Sequence, residues 1–268
     1  MLALARCREA LVRYGSEASR IFRKGERRLA GRVAGIVALA ALLPVLSGCM
    51  YPKEMRKENQ VTATESILVV QNAVDRYKEK NGILPIKNSE MSTPIYEKYV
   101  LDMKKLTHGP YLGQVPGTAF EMGGSNLFVL VNPDVKPEVK LLDLTGYQKT
   151  GDIQKWVDEY AKANNGAIPK GNPAGQDVFR LDFDKLGKKA AQTESMYSRT
   201  YLSYLVSADG TVAIDYAPEI MQAMQRKGMK TADASTDLRT LLVAESPYVP
   251  AKSFPYYWLD NEPKPSAR

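Results

Sequence analysis

Histidine and cysteine, the side chains that most often carry catalysis or bind transition metals, are nearly missing: the 268-residue chain has 2 Cys and 1 His. A structural zinc site needs four ligands of these types and a disulfide scaffold needs several paired cysteines, so both classes are excluded. Nucleophilic triads need a histidine as proton shuttle. The one histidine, His108, lies in the turn-like sequence Leu-Thr-His-Gly-Pro. We expect a loop histidine there, and the sequence predicts no catalytic residue and no metal ligand.

Signals for phosphate or nucleic-acid binding are also missing. Gly123-Gly124 is not followed by the Lys-Ser or Lys-Thr of a phosphate-binding loop, and a strand rather than a helix is predicted next. From residue 49 onward, lysines and arginines alternate with acidic residues instead of forming a basic stripe. The sequence therefore predicts no nucleic-acid partner and no bound cofactor.

The positive charge of the chain is concentrated at its beginning. The chain has 37 Lys and Arg against 30 Asp and Glu, a formal charge of +7. Residues 1–48 contain nine basic and three acidic residues, which leaves the remainder nearly neutral. The basic stretch is followed by an uncharged apolar run at residues 33–46. A run of this length is shorter than the roughly 20 residues of a spanning helix and is typical of a secretory signal.

The apolar run ends in Leu46-Ser47-Gly48-Cys49, which resembles a bacterial lipobox. On this interpretation residues 1–48 are a signal peptide, and cleavage falls between Gly48 and Cys49. The Cys49 thiol then carries a covalent diacylglycerol, with acyl chains such as palmitate, and two acyl chains give a stable membrane anchor. Cys7 lies in the removed segment, so no thiol is left for a disulfide or a nucleophile.

The lipobox sets the predicted localisation, although other interpretations stay open. We expect a lipoprotein held by its lipid on the extracytoplasmic face of the cell membrane. There are two alternatives: the apolar run is an uncleaved signal anchor, or the protein is cytosolic and the run is a core helix. The basic region before the apolar run is unusually long, which a misassigned start codon explains.

Several short sequence patterns occur twice along the chain, in the same order. Each copy reads as a helix, an Asn-Gly stop, a Pro-containing loop, a Leu-Asp-x-x-Lys-Leu turn and two strands. We infer an internal duplication. The predicted organisation is a signal peptide (1–48), a lipidated N-terminus and tether (49–61), a duplicated domain (62–228, with copies at about 62–146 and 147–228), and a C-terminal helix with a tail rich in Pro and aromatics (229–268).

The repeated unit predicts an α+β fold. The first copy has predicted strands at about 126–131 and 139–144, and the second at about 201–206 and 211–216. A helix over one hairpin cannot close a core alone. We therefore expect the two hairpins to form a small four-stranded antiparallel sheet with helices on one face.

Aromatic residues cluster near the C-terminus. Phe254, Tyr256, Tyr257 and Trp258 lie within five residues of one another, next to Pro255. This segment is either a strap packed over the domain or a partner-binding surface, because clustered exposed aromatics mark interaction sites.

Two pairs of aspartates occupy equivalent positions in the two copies. Asp102 corresponds to Asp182, and Asp143 corresponds to Asp215. Aspartates before a short helical turn usually cap it. If a pair instead faces one open pocket, its carboxylates can serve as acid and base in glycoside hydrolysis.

The sequence from Cys49 to about Gln225 resembles the YphF-like lipoproteins of Bacillus-type Gram-positive bacteria. The resemblance rests on Cys-Met-Tyr-Pro-Lys-Glu after the lipobox, Leu-Pro-Ile-Lys from Leu84, Ser-Thr-Pro-Ile-Tyr-Glu-Lys-Tyr from Ser92 and Pro-Gly-Thr-Ala-Phe-Glu from Pro116. It implies an anchored extracytoplasmic protein and no particular activity.

These observations predict a non-enzymatic binding or scaffold lipoprotein of the cell envelope. Its expected partners are the membrane, through the lipid, and another envelope protein. The alternatives are a hydrolase that faces the cell wall and uses paired aspartates, or an accessory solute-binding lipoprotein.

Overall fold

Helices and short antiparallel strands alternate along residues 53–267, the part of the chain that the computed structural model describes. The predicted α+β class is confirmed. The helices are α1 (Lys53–Asn81), α2 (Ile95–Lys98), α3 (Met103–Thr107), α4 (Leu144–Ala163), α5 (Ala217–Arg226) and α6 (Arg239–Glu245), with a 3-10 turn at Phe120–Met122. The strands are β1 (Asn126–Val131), β2 (Glu138–Asp143), β3 (Lys170–Gly175), β4 (Val178–Leu181), β5 (Thr193–Glu194), β6 (Tyr201–Leu202), β7 (Tyr204–Ser207), β8 (Val212–Ile214), β9 (Tyr256–Leu259) and β10 (Glu262–Pro265).

Helix α1 starts earlier than the sequence predicts. Residues 53–61 lie in the predicted tether, but they form the first turns of a continuous 29-residue helix. No Gly or Pro interrupts this stretch, and its Glu, Lys, Arg and Met residues are good helix formers. Polarity alone was therefore a poor sign of a tether. The helix ends at the predicted Asn-Gly stop, where Gly82 has φ +70° and its N–H donates to the Lys78 carbonyl at 2.8 Å.

The hairpins form where they are predicted, but they do not join into one sheet. Strands β1 and β2 form a hairpin of their own, and the four-stranded sheet has the order β3-β4-β7-β8. The predicted sheet made of both hairpins is wrong, because another segment occupies the inner edge of each hairpin. Residues 99–101 bond to β1, with Leu101 N–H donating to Phe128 O at 2.8 Å, and β4 pairs with β7.

Each hairpin is held to a helix by one glutamine side chain. In α1, Gln71 Oε1 accepts from Val139 N–H at 2.7 Å and its Nε2 donates to the Pro137 carbonyl at 3.1 Å. In α4, Gln154 repeats this arrangement. Its Oε1 accepts from Val212 N–H at 2.7 Å and its Nε2 donates to the Gly210 carbonyl at 2.9 Å. The carboxamide thus stands in for a neighbouring strand at the start of β2 and of β8. The internal duplication stays a prediction, and these paired contacts agree with it.

A segment at residues 247–252, called the strap below, touches both hairpins. Leu141 N–H of β2 donates to the Pro247 carbonyl at 2.8 Å, and Val249 N–H donates back to the Leu141 carbonyl at 2.9 Å. Five residues further on, Ile214 N–H of β8 donates to the Lys252 carbonyl at 2.7 Å. The strap therefore covers the outer edges that β2 and β8 would otherwise expose.

The aromatic tail is largely part of the core. Tyr256 is fully buried, and Phe254 is only 9% exposed. The Tyr256 ring packs in the same cluster as Tyr204 and Ile220, under α4 and α5. Tyr257 and Trp258 are half-buried. Tyr256, whose ring is fully buried, offers no surface to a partner, whereas Phe254 keeps a small exposed fraction and lines the groove described below. The partner-binding role stays a prediction for Phe254 and for the two half-buried residues.

Candidate binding groove

The four aspartates at positions predicted to be equivalent are each bound to local backbone N–H groups. Asp102 accepts from Lys104 N–H at 3.1 Å at the start of α3. Asp182 accepts from Asp184 N–H and Lys185 N–H at 3.1 and 3.2 Å, and these bonds hold its pKa below the ordinary value. Both residues do what a cap does in a short turn.

The second pair begins longer helices. Asp143 accepts from Thr145 N–H at 3.2 Å and from Gly146 N–H at 2.7 Å. Asp215 accepts from Ala217 N–H at 3.1 Å. Asp143 lines a cavity of about 20 Å³ and Asp215 lines a different one of about 420 Å³. Asp143 and Asp215 therefore line different cavities, and neither of these two cavities is lined by Asp102 or Asp182.

A groove of about 480 Å³ opens on the surface of the described part of the chain. Three parts of the fold enclose it: the region around α2, the middle of α4 with β8, and the chain just after the strap. Most of its walls are apolar. They are contributed by Pro94, Ile95, Val212, Ala213, Phe254 and Pro255. A volume between about 300 and 1,000 Å³ with mainly apolar walls is the usual form of a ligand pocket.

A partly buried ion pair lies at one side of the groove, with Glu97 buried and Lys252 half-buried. The Lys252 ammonium lies 3.1 Å from Glu97 Oε2, and Lys252 N–H donates to Glu97 Oε1 at 2.7 Å. The ammonium also lies 4.1 Å from the centre of the Tyr147 ring, within the range of a cation–π contact. Burial opposes the charge, but Glu97 and Tyr147 outweigh it and the pKa of Lys252 is raised. Lys252 therefore stays cationic at physiological pH.

Lys252 has an unusual backbone conformation as well. Its φ of +51° lies in the left-handed region, which costs a non-glycine residue roughly 1 kcal/mol or more. The conformation is maintained because Lys252 N–H bonds to Glu97 and its carbonyl bonds to Ile214. The ion pair and the edge of the sheet thus fix the same residue from both sides.

Arg239 forms the second charged element of the groove. Its guanidinium binds Asp237 at 2.7–3.1 Å and donates to the Ser253 carbonyl at 3.1 Å. The guanidinium carbon lies 4.9 Å from the centre of the Tyr96 ring. Burial, opposed by Arg239 and aided by Asp237, raises the pKa of Tyr96 to about 12. All three charged side chains that line the groove, Glu97, Arg239 and Lys252, are thus paired within the protein.

A glycine in the middle of α4 widens the groove. Gly151 lies eight positions into a 20-residue helix, where glycine costs about 1 kcal/mol relative to alanine. A Cβ placed on it would meet nothing within 4 Å, so neighbouring atoms do not require glycine. The missing side chain leaves open space in the groove beside Gln154.

The other predicted site residues have separate positions. His108 ends α3 as its C-cap, which agrees with a loop histidine. Leu46, Ser47, Gly48 and Cys49 lie outside the described residues. Within residues 53–267, no helix is both long and apolar enough to cross a bilayer. The same residues contain no group of three or more His, Cys, Asp or Glu side chains placed to hold a metal ion.

The N-terminal part of the described chain is similar in sequence to a known protein family. Helix α1, the proline loop, α3 and the β1–β2 hairpin follow one another from Lys53 to Asp143. Residues 63–143 match the model of the YphF family N-terminal domain. The YphF-like part therefore includes Gln71, the glutamine that holds the β1–β2 hairpin to α1, and it supplies the α2 wall of the groove. Helix α4, strand β8 and the strap lie beyond it. Searches of curated proteins and of solved structures gave no match.

Sequence reasoning missed the groove. Its ion pair joins residues 155 positions apart, and nothing in the local pattern around Glu97 or Lys252 points to a pairing. One signal was present: Gly151 interrupts an otherwise good helix, and such a glycine usually has a packing or functional reason.

Proposed function

We propose that this protein is a lipoprotein of the cell envelope, anchored through Cys49, and that it binds a short segment of another envelope protein in the groove. The observation that carries the binding part is the state of the groove's charged side chains. Glu97, Arg239 and Lys252 are all held by partners in the protein, so none is free to act as an acid, base or nucleophile. Apolar walls and fixed charges suit recognition better than catalysis.

The proposed anchor fits the start of the fold. Only residues 50–52 separate Cys49 from the first residue of α1. An extended chain spans at most about 3.5 Å per residue, so the helix would begin within about 14 Å of Cys49. The proposed anchor would therefore lead almost directly into α1.

The anchor is tested by the variant Cys49→Ala. We expect the variant to accumulate as an uncleaved precursor or to leave the membrane fraction, because it lacks the thiol that receives the lipid. Fractionation and metabolic labelling with a radioactive fatty acid measure this, and Cys7→Ala serves as the control that keeps both properties. Unchanged processing and labelling of Cys49→Ala would rule out the lipoprotein.

The groove is tested by crosslinking in intact cells. A photoreactive amino acid at Thr211, an exposed groove residue, should give a specific crosslinked band. Gly151→Leu should remove that band because its side chain fills the groove, whereas Gly151→Ala should keep most of it. If Gly151→Leu is folded, as judged by its thermal transition, and gives the same band as the parent, the groove is not the binding site.

A further inference from the structure

A second cavity, separate from the groove, lies beside the β3–β4 and β9–β10 hairpins and has a volume of about 420 Å³. Three proline rings form part of its wall, from Pro173, Pro263 and Pro265. Gly175 allows the two hairpins to come together here. A Cβ on Gly175 would lie 1.9 Å from the Pro265 carbonyl oxygen, so only glycine permits this approach.

One side of this cavity carries a rigidly positioned carboxylate. Asp215 is 6% exposed, and its Oδ1 accepts from Ala217 N–H and from the Tyr256 hydroxyl, each at 3.1 Å. The Tyr256 hydroxyl in turn accepts from Tyr216 N–H at 2.9 Å. Burial and the neighbouring Asp215 raise the pKa of Tyr256 well above its ordinary value, so the hydroxyl keeps the proton it donates. Both side-chain bonds of Asp215 go to Oδ1, which leaves Oδ2 to the cavity.

A guanidinium faces that second oxygen. Arg180 Nη1 lies 3.7 Å from Asp215 Oδ2, which is close enough for attraction but too long for a hydrogen bond. The Arg180 side chain is 59% exposed and makes no hydrogen bond to any of the residues 53–267. Its donors are therefore available to a ligand, unlike those of Arg239 in the groove.

Another part of the cavity lining carries two acidic residues and one lysine. Lys264 lies 2.8 Å from Asp260 and 3.3 Å from Glu262, so one cation is shared between two anions. Together with Arg180 and Asp215, the charged side chains that line the cavity sum to −1. A simple anion would meet three carboxylates, and a simple cation would leave the Arg180 donors unused.

We propose that this cavity binds a small zwitterion of amino-acid or dipeptide size, with its ammonium on Asp215 Oδ2 and its carboxylate on Arg180. The 3.7 Å between Nη1 and Oδ2 suits a ligand whose charged groups are only a few bonds apart. An ammonium–carboxylate contact and a guanidinium–carboxylate contact are both charge-assisted hydrogen bonds, the stronger kind in proteins. This site is independent of the groove and of the lipid anchor.

Calorimetric titration of the purified full-length chain tests the proposal. The probes are alanine and alanyl-alanine as zwitterions, with ethylamine and acetate as compounds that carry only one of the two charges. We expect at least one zwitterion to bind at least tenfold more tightly than ethylamine and acetate. Arg180→Gln should weaken that zwitterion at least tenfold, and it should fold normally because the side chain is mostly exposed. Arg226→Gln, an exposed arginine paired with Glu245 elsewhere, is the matched control and should bind like the parent.

The titrations distinguish a free amino acid from a short peptide as the ligand. Binding of alanine assigns a free amino acid, and binding of alanyl-alanine alone assigns a short peptide. Equal binding of acetate, unchanged affinity in Arg180→Gln, or heat from none of the probes would overturn the proposal. Each of these results would leave the crosslinking test of the groove unaffected.

Discussion

Gln154, which holds the β7–β8 hairpin to α4, gives the sharpest stability prediction. In Gln154→Leu, a side chain of similar size replaces the carboxamide in α4. Val212 is 3% exposed, so its N–H would lose the 2.7 Å bond to Gln154 without gaining water. A buried donor left unsatisfied costs about 1–3 kcal/mol, and the lost bond to the Gly210 carbonyl adds about 0.5–1.5 kcal/mol. We expect the free energy of unfolding to fall by about 1.5–4.5 kcal/mol.

Urea unfolding measured by far-UV circular dichroism checks this value. The midpoint should move to lower urea at an unchanged slope, because the surface exposed on unfolding stays the same. Gln71→Leu makes the equivalent change at Val139 and should cost a similar amount. Gln225→Leu on the exposed side of α5 should stay within about 0.5 kcal/mol of the parent. A Gln154→Leu variant as stable as Gln225→Leu would refute the assigned role of the carboxamide.

Two further predictions concern the groove. Gly151→Ala should raise the free energy of unfolding by about 0.4–1 kcal/mol, because alanine has a higher helix propensity than glycine and the added Cβ meets open space. An unchanged or lower urea midpoint would contradict this. Because the pKa of Tyr96 is about 12 in the fold and about 10 when unfolded, its contribution is complete below pH 10 and is lost as the pH rises toward 12. Between pH 9 and 11 the parent should therefore lose about 1 kcal/mol more stability than Tyr96→Phe, and parallel urea midpoints for the two proteins would contradict it.

The sequence was a good guide to elements with strong local patterns. Strand β1 was predicted with its observed bounds because an apolar run lies between two turn sequences, and the Asn-Gly stop of α1 was predicted because glycine takes a positive φ there. Strand β3 was missed because Lys-Gly-Asn-Pro-Ala-Gly has little strand propensity. It forms only because it pairs with β4 as an edge strand, where a proline is tolerated.

The candidate sites depended on distant pairings that no local pattern specifies. The sequence pattern pairs Asp215 with Asp143, whereas in the structure the partners of Asp215 are Arg180 and Tyr256. The aromatic residues that cluster in the sequence are divided by burial between the core and the surface. Periodicity predicts which face of an element is buried, and it does not predict which elements will meet.

The separation in sequence between the strap and the strands that it covers has a consequence for the order of events in the cell. Residues 247–252 complete the edges of β2 and β8, and Tyr256 fills the core beneath α5, so the two hairpins lack these partners until residues 247–256 have been synthesised. Long-range contacts of this kind form late and slow the final closure of a fold. For a protein proposed to leave the cytoplasm, such a delay keeps the chain in the unfolded form that a secretion channel accepts.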